Sequence, residues 1–175
     1  MWGSEGKPIM IVDLATYTTI HTALSLVALA SGIIVTIGLI ESKPLPIWNG
    51  LFLATAVATS ATGFGFPFTG FLPSHAVAAV GLVVLALTIL AYYVLGLSGA
   101  WRPIYAVGVV VSLYFDVFVG IAQAFMKIPP LNALAPTGSE PPFAAAQGVA
   151  LVIFVVLAVR AAMRFHPATS MPSAS

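Results

Sequence analysis

One acidic residue lies deep inside an apolar stretch of this sequence, and it is the strongest candidate for chemistry. Asp116 sits near the middle of the run 103–126. Ser112, Gly120 and Gln123 flank it at spacings of three or four residues, so all of these residues share one face of a helix. Polar groups within a membrane span are costly and usually face the bundle interior. The stripe is typical of a proton or ion relay, a ligand anchor, or an acid that locks helix packing.

The other side of the same run is apolar at Val110, Leu113 and Val117, and the pattern predicts that this side faces lipid. Exposing an ionised carboxylate to hydrocarbon costs at least about 2.5 kcal/mol. Asp116 is therefore expected to point into the bundle or an oligomer interface. There it should accept a hydrogen bond from a Thr, Tyr or Ser hydroxyl or from water.

Two histidines, His21 and His75, begin other apolar runs and have the chemistry of metal ligands. If successive helices alternate in direction, both histidines fall at one end of the bundle. Three further polar residues are expected at that end, namely Gln123, Glu140 and Gln147. The cluster predicts a metal, haem or quinone site. The alternative is that these are ordinary interfacial residues whose polar tips reach water.

A histidine near a helix start, followed by small residues and a glycine, is found at His21 to Gly32 and at His75 to Gly81. This pattern is similar to small bacterial membrane cytochromes of the b561 type. The resemblance implies a haem b held by His21 and His75. Those families usually show four histidines on facing helices, and here only two lie in predicted spans. The resemblance therefore allows one bis-histidine haem at most.

Apolar helices in a bilayer must position all of these residues. The chain is 60% hydrophobic and 6% charged, whereas a soluble domain carries about 25% charged residues. Backbone groups in lipid must be bonded within helices or a closed barrel, and the runs lack the alternation of barrel strands. The predicted fold class is an all-α integral membrane protein.

Five apolar runs approach the length of about 20 residues that a membrane span needs. They are 17–40, 47–64, 75–95, 103–126 and 143–163. The second run is short and rich in Ala and Thr, so four spans plus a re-entrant segment is the alternative to five spans. Residues 1–16 are predicted to be an extracytoplasmic segment, 17–164 the transmembrane bundle, and 165–175 a disordered cytoplasmic tail.

Basic residues set the expected orientation, because the side of the membrane that carries more Lys and Arg residues is normally cytoplasmic. With five spans, one side holds Lys43, Arg102, Arg160 and Arg164, and the other holds Lys7 and Lys127. The N-terminus is therefore expected outside and the C-terminus inside a bacterial inner membrane.

The proline-rich connection 127–142 is expected to be ordered and to cap the outer mouth of the bundle, with Glu140 directed at the polar cluster. Ser139 is the predicted N-cap of the last helix.

Several function classes are excluded or disfavoured. The absence of cysteine removes disulfides and thiolate chemistry. The net charge of +1, without a basic run, does not predict nucleic-acid binding. No nucleophile and base occur at a usable spacing, which disfavours an enzyme. A transport protein or channel, or an accessory subunit in a homo-oligomer or larger membrane complex, is the favoured interpretation. The alternative is the haem-, metal- or quinone-binding protein.

Overall fold

The computed structural model describes residues 13–66 and 73–167, except for the side chains of residues 73–75. Within these ranges the chain is all helical. The helices are α1 (Leu14–Ile40), α2 (Pro46–Gly63), α3 (Pro73–Ile89, continued by a π-helical turn Leu90–Val94), α4 (Trp101–Lys127), α5 (Pro129–Leu134) and α6 (Pro141–Arg164). Each of the five predicted apolar runs is a helix, while the short helix α5 was not predicted.

Four of the described helical segments are long and apolar enough to cross a membrane. They are Leu14–Ile40, Ala76–Val94, Trp101–Lys127 and Pro141–Arg164. These four segments support an integral membrane helical bundle. α2, with 18 residues, is not among them.

α2 runs antiparallel to α1 from one end of the bundle to the other. At one end the Tyr17 hydroxyl donates a 2.6 Å hydrogen bond to the Thr62 carbonyl oxygen. At the other end Gly38 packs against Leu45. A re-entrant segment would instead return to the end at which it began. We call the two ends of the bundle the His21 end and the Asn49 end, after residues of α1 and α2 that lie there.

The remaining long helices also alternate in direction. A tight turn with positive φ at Gly96, Leu97 and Gly99 joins α3 to α4. α6 lies antiparallel to α4, since the Tyr105 ring is 5.6 Å from the Phe165 ring at the Asn49 end. Helices α1, α3 and α6 all pack against α4, which is therefore the central helix.

The central position of α4 overturns the predicted lipid face. Val110 and Leu113 are only 0% and 1% exposed, because they pack on neighbouring helices rather than on lipid. The large apolar side chains that α4 does expose are Ile104, Val107 and Met126.

The start of the predicted disordered tail is packed onto the bundle. Phe165 is 1% exposed and lies against Tyr105. The backbone N–H of His166 donates a 2.8 Å hydrogen bond to the Ser42 hydroxyl. The prediction of disorder is therefore wrong for Phe165 and His166, because the Phe165 ring packs into the core at the Asn49 end. Residues 168–175 of the predicted tail lie outside the described part of the chain.

The hydrophobic core occupies the Asn49 half of the bundle. On α1, none of the described residues before Ala28 is buried. On α4, the fully buried apolar side chains run from Tyr105 to Leu113, and Gly120 and Gln123 are exposed. Among the described residues, the bundle is thus most tightly packed in its Asn49 half, while Gly120 and Gln123 on α4 stay exposed toward the His21 end.

Candidate functional site

Asp116 lies on the inner side of α4, just beyond the closed half of the bundle. Its carboxylate oxygen Oδ2 is buried and receives no hydrogen bond. The expected Thr, Tyr or Ser donor is therefore missing for this oxygen. Ser112, one turn earlier on the same face, is also buried and its hydroxyl has no partner.

On the His21 side of Asp116, the described residues leave one flank of α4 uncovered. Where α1 and α4 touch, a Cβ added at Gly32 would lie 2.8 Å from the Leu113 side chain. Gly120 lies on the same face of α4 as Leu113, about 10 Å further along the helix. A Cβ added at Gly120 would meet nothing within 4 Å. The described residues therefore leave the flank of α4 from Gly120 to Gln123 uncovered, and we call this exposed flank, which begins beside Asp116, the groove.

His21 stands at the mouth of this groove and joins α1 to α2. Its Nδ1 lies 2.8 Å from the Thr62 hydroxyl oxygen, and the hydroxyl donates to the Ala58 carbonyl oxygen at 2.7 Å. The tautomer in which Nδ1–H donates to Thr62 keeps the bond from the Thr62 hydroxyl to Ala58 and leaves Nε2 as an acceptor in the neutral ring. Lys127 ends α4 at the same end of the bundle as His21.

Gln147 anchors α6 to α4 at a deeper level than the mouth. Its Nε2 donates a 3.0 Å hydrogen bond to the Phe118 carbonyl oxygen, while its Oε1 is buried without a partner. Gln123, by contrast, is exposed along the groove. The structure thus places the two glutamines at different depths.

Glu140 is held within its own turn. Its carboxylate accepts hydrogen bonds from the Thr137 backbone N–H at 3.1 Å, the Thr137 hydroxyl at 2.9 Å and the Ser139 backbone N–H at 3.0 Å. Desolvation opposes these bonds, but together they lower the pKa of Glu140. Glu140, rather than the predicted Ser139, is the N-cap of α6, because the two following prolines occupy its first turn.

The connection before Glu140 is ordered but lies beside the groove. Pro129 and Pro130 open α5, which packs against the end of α4. Ala135 is buried at the end of this turn. Since Gly120 and Gln123 stay exposed, the connection leaves this part of the groove open.

The proposed histidine pair is described only in part. α3 begins beside His75, at the His21 end, but the side chain of His75 lies outside the described residues. Within the described residues, no group of three or more His, Cys, Asp or Glu side chains is arranged to hold a metal ion. The haem b interpretation stays a prediction.

Other buried polar atoms without described partners lie between the level of Asp116 and the Asn49 end. Such atoms are rare in proteins and usually bind water. Apart from Arg102 Nε at the start of α4, the described ones lie on α1, α2, α4 and α6 and are Thr36 Oγ1, Asn49 Nδ2, Thr59 Oγ1, Ser112 Oγ, Asp116 Oδ2 and Gln147 Oε1. We call this set the polar column. It predicts ordered water in the interior.

Asn49 and Tyr105 form the end of the polar column, and the sequence analysis missed both. Asn49 is 1% exposed and Tyr105 is 2% exposed. The Tyr105 hydroxyl donates a 2.8 Å hydrogen bond to Asn49 Oδ1. An asparagine two residues into an apolar run was the available signal, but its partner lies 56 residues away in the sequence.

Replacing Tyr105 with phenylalanine will destabilise the protein, because the buried Asn49 amide loses its described partner. The expected cost is about 1–3 kcal/mol, the penalty for an unsatisfied buried polar group. Thermal unfolding in detergent measures it. Tyr93→Phe is the matched control, since Tyr93 is 59% exposed. Equal melting temperatures for the two variants would contradict the role of this hydrogen bond.

In its described residues this is an all-helical protein with apolar helices long enough to cross a membrane and with several buried polar atoms that have no described partner. No protein family model, no curated protein and no solved structure matches the chain.

Proposed function

We propose that this chain is an integral membrane transport protein that passes a small cation along the polar column, with Asp116 as the carrier group. The observation that supports the proposal is the Asp116 carboxylate, one oxygen of which is buried without a described partner, at the inner end of the groove. Unpartnered polar atoms continue beyond it toward the other end of the bundle.

The energetics favour a hydrated path over a purely structural role. Each buried polar atom without a partner costs about 1–3 kcal/mol. Among the described residues, Asp116 is the only acid inside the bundle. Water that bonds to Ser112, Asp116 and Gln147 would offset this cost and connect the groove with the interior. Gln123 and His21 would line the mouth, and Glu140 would order the turn beside it.

The proposed membrane topology has five spans, with α2 as the fifth. α2 runs the full distance between the two ends of the bundle, and its 18 residues measure about 27 Å along the axis, close to the hydrocarbon thickness. Four basic residues lie at the Asn49 end: Lys43, Arg102, Arg160 and Arg164. This end is proposed to face the cytoplasm of a bacterium, with the N-terminus outside.

Single cysteines test this topology directly, because the natural chain has none. We expect an impermeant thiol reagent added outside intact cells to label the Ser4→Cys variant. The Ser173→Cys variant should react only after the membrane is opened. Labelling of both positions from the same side would exclude an odd number of spans.

Transport itself is tested with purified protein in liposomes. We expect an imposed gradient of H⁺, Na⁺ or K⁺ to decay faster in proteoliposomes than in empty liposomes. Each ion is followed separately with an entrapped indicator dye. Equal decay with and without protein for all three ions would overturn the proposed function.

A second candidate function follows from His21. Its Nδ1–H donates to Thr62, and a ligating imidazole is commonly oriented by such a bond while Nε2 faces the ligand. A haem-, metal- or quinone-binding protein that uses His21 and His75 is therefore the alternative, whether alone, as a homo-oligomer or in a larger membrane complex. A Soret absorption band in purified protein would support the haem version, and colourless protein would exclude it.

A further inference from the structure

We propose that the transported ion is the proton, and that Phe52 and Leu113 form a hydrophobic barrier that stops hydrated metal ions beside Asp116. This inference rests on the proposed function and specifies its substrate. It is carried by Asp116, which is the only acid inside the bundle among the described residues and has one buried oxygen, and by the apolar contact that interrupts the polar column.

The side chains available at Asp116 suit a proton better than a metal ion. Hard cations such as Ca²⁺ bind six or more oxygen ligands, often from several carboxylates. The described residues contain no group of three acidic or histidine side chains that could share such an ion. A single proton, by contrast, neutralises a single carboxylate completely, which removes the cost of keeping its charge in a low-dielectric interior.

The proposed step needs no reactant other than water. On the groove side, a carboxylate oxygen of Asp116 accepts a proton from a hydronium ion, which leaves as water. The new O–H bond then breaks toward a water molecule held near Ser112. The carboxylate is regenerated, and the proton continues along the water toward Thr36 and Asn49.

The apolar barrier divides the polar column. Phe52 and Leu113 are 0% and 1% exposed, and both pack on the bare backbone of Gly32. On the groove side lie Asp116, one turn from Leu113, and Thr59, two turns from Phe52. Polar atoms continue on the opposite side, at Thr36 on α1 and Asn49 on α2.

The physical effect of such a constriction is to exclude water most of the time. Hydrophobic constrictions in channels gate by dewetting. A brief single file of water is enough for a proton, because the proton moves by exchange of bonds between neighbouring molecules. A sodium or potassium ion must bring its hydration shell or replace it with protein oxygens, and the Phe52 and Leu113 side chains offer none.

Ion selectivity provides the first test, and it needs no variant. In the liposome assay we expect the protein to accelerate decay of a H⁺ gradient and to leave Na⁺ and K⁺ gradients unchanged. Comparable Na⁺ or K⁺ flux would overturn the proton assignment while supporting transport. Absence of flux for every ion would instead overturn the proposed function.

Cysteine accessibility tests the barrier without relying on transport. A charged, impermeant thiol reagent applied from the His21 end should label Gly120→Cys in the groove and leave Thr36→Cys unlabelled. Adding Leu113→Ala should make Thr36→Cys reactive from that end, because the constriction is widened. Leu85→Ala is the matched control, since Leu85 is equally buried but lies on α3.

Two outcomes of the accessibility test would overturn the barrier. One is labelling of Thr36→Cys from the His21 end in otherwise unchanged protein. The other is continued protection of Thr36→Cys in a folded Leu113→Ala variant. If Leu113→Ala does not fold, Phe52→Leu provides the same comparison with a smaller change in volume.

Discussion

The Asp116→Asn variant will assemble like the unchanged protein and lose proton flux by about 100-fold or more, the scale of removing a positioned proton-transfer group. The amide has nearly the same size and still forms hydrogen bonds, so packing on α4 is preserved. It cannot take up and release a proton as a carboxylate does. The measurement is the decay of a pH gradient in liposomes that contain equal amounts of each protein.

The control for this variant is Asp13→Asn. Asp13 is the exposed N-cap of α1, where its carboxylate accepts a 3.0 Å hydrogen bond from the Thr16 backbone N–H, and asparagine is an equally good N-cap. We expect Asp13→Asn to retain full flux. If Asp116→Asn also retains it, with unchanged elution on gel filtration, then Asp116 serves only the packing of the bundle.

Replacing Gly32 with leucine will strongly destabilise the bundle. A Cβ at this position would lie 2.8 Å from both the Leu113 and the Phe52 side chains, and three helices meet there. Overpacking of a close-packed core typically costs about 1–3 kcal/mol, and a whole leucine side chain at this crossing should reach the upper end of that range. A fall in the melting temperature in detergent measures the loss.

Gly148→Leu is the matched control for this prediction. Gly148 is exposed on α6, and a Cβ added there would meet nothing within 4 Å. We expect this variant to melt at the same temperature as the unchanged protein. Similar melting temperatures for Gly32→Leu and Gly148→Leu would show that α1 and α4 are not held together at Gly32.

The helices and the polar stripe were predictable from the sequence because both depend on local information. A long apolar run implies a helix wherever its neighbours lie, and the period of 3.6 residues places Ser112 and Asp116 on one face. The structure confirms the five helical segments. It also buries the Ser112 hydroxyl and one oxygen of the Asp116 carboxylate.

Only the tertiary structure decided which residues these faces meet. Leu113 was predicted to face lipid, but it is buried. It lies seven residues before Gly120, so the helical period itself places it beside the polar stripe, and the neighbours of the central helix α4 then cover it. The bond between Asn49 and Tyr105, the groove at Gly120 and the packing of Phe165 depend likewise on helices distant in sequence. Apolar residues suit both lipid and a protein core, so composition alone does not distinguish the two surroundings.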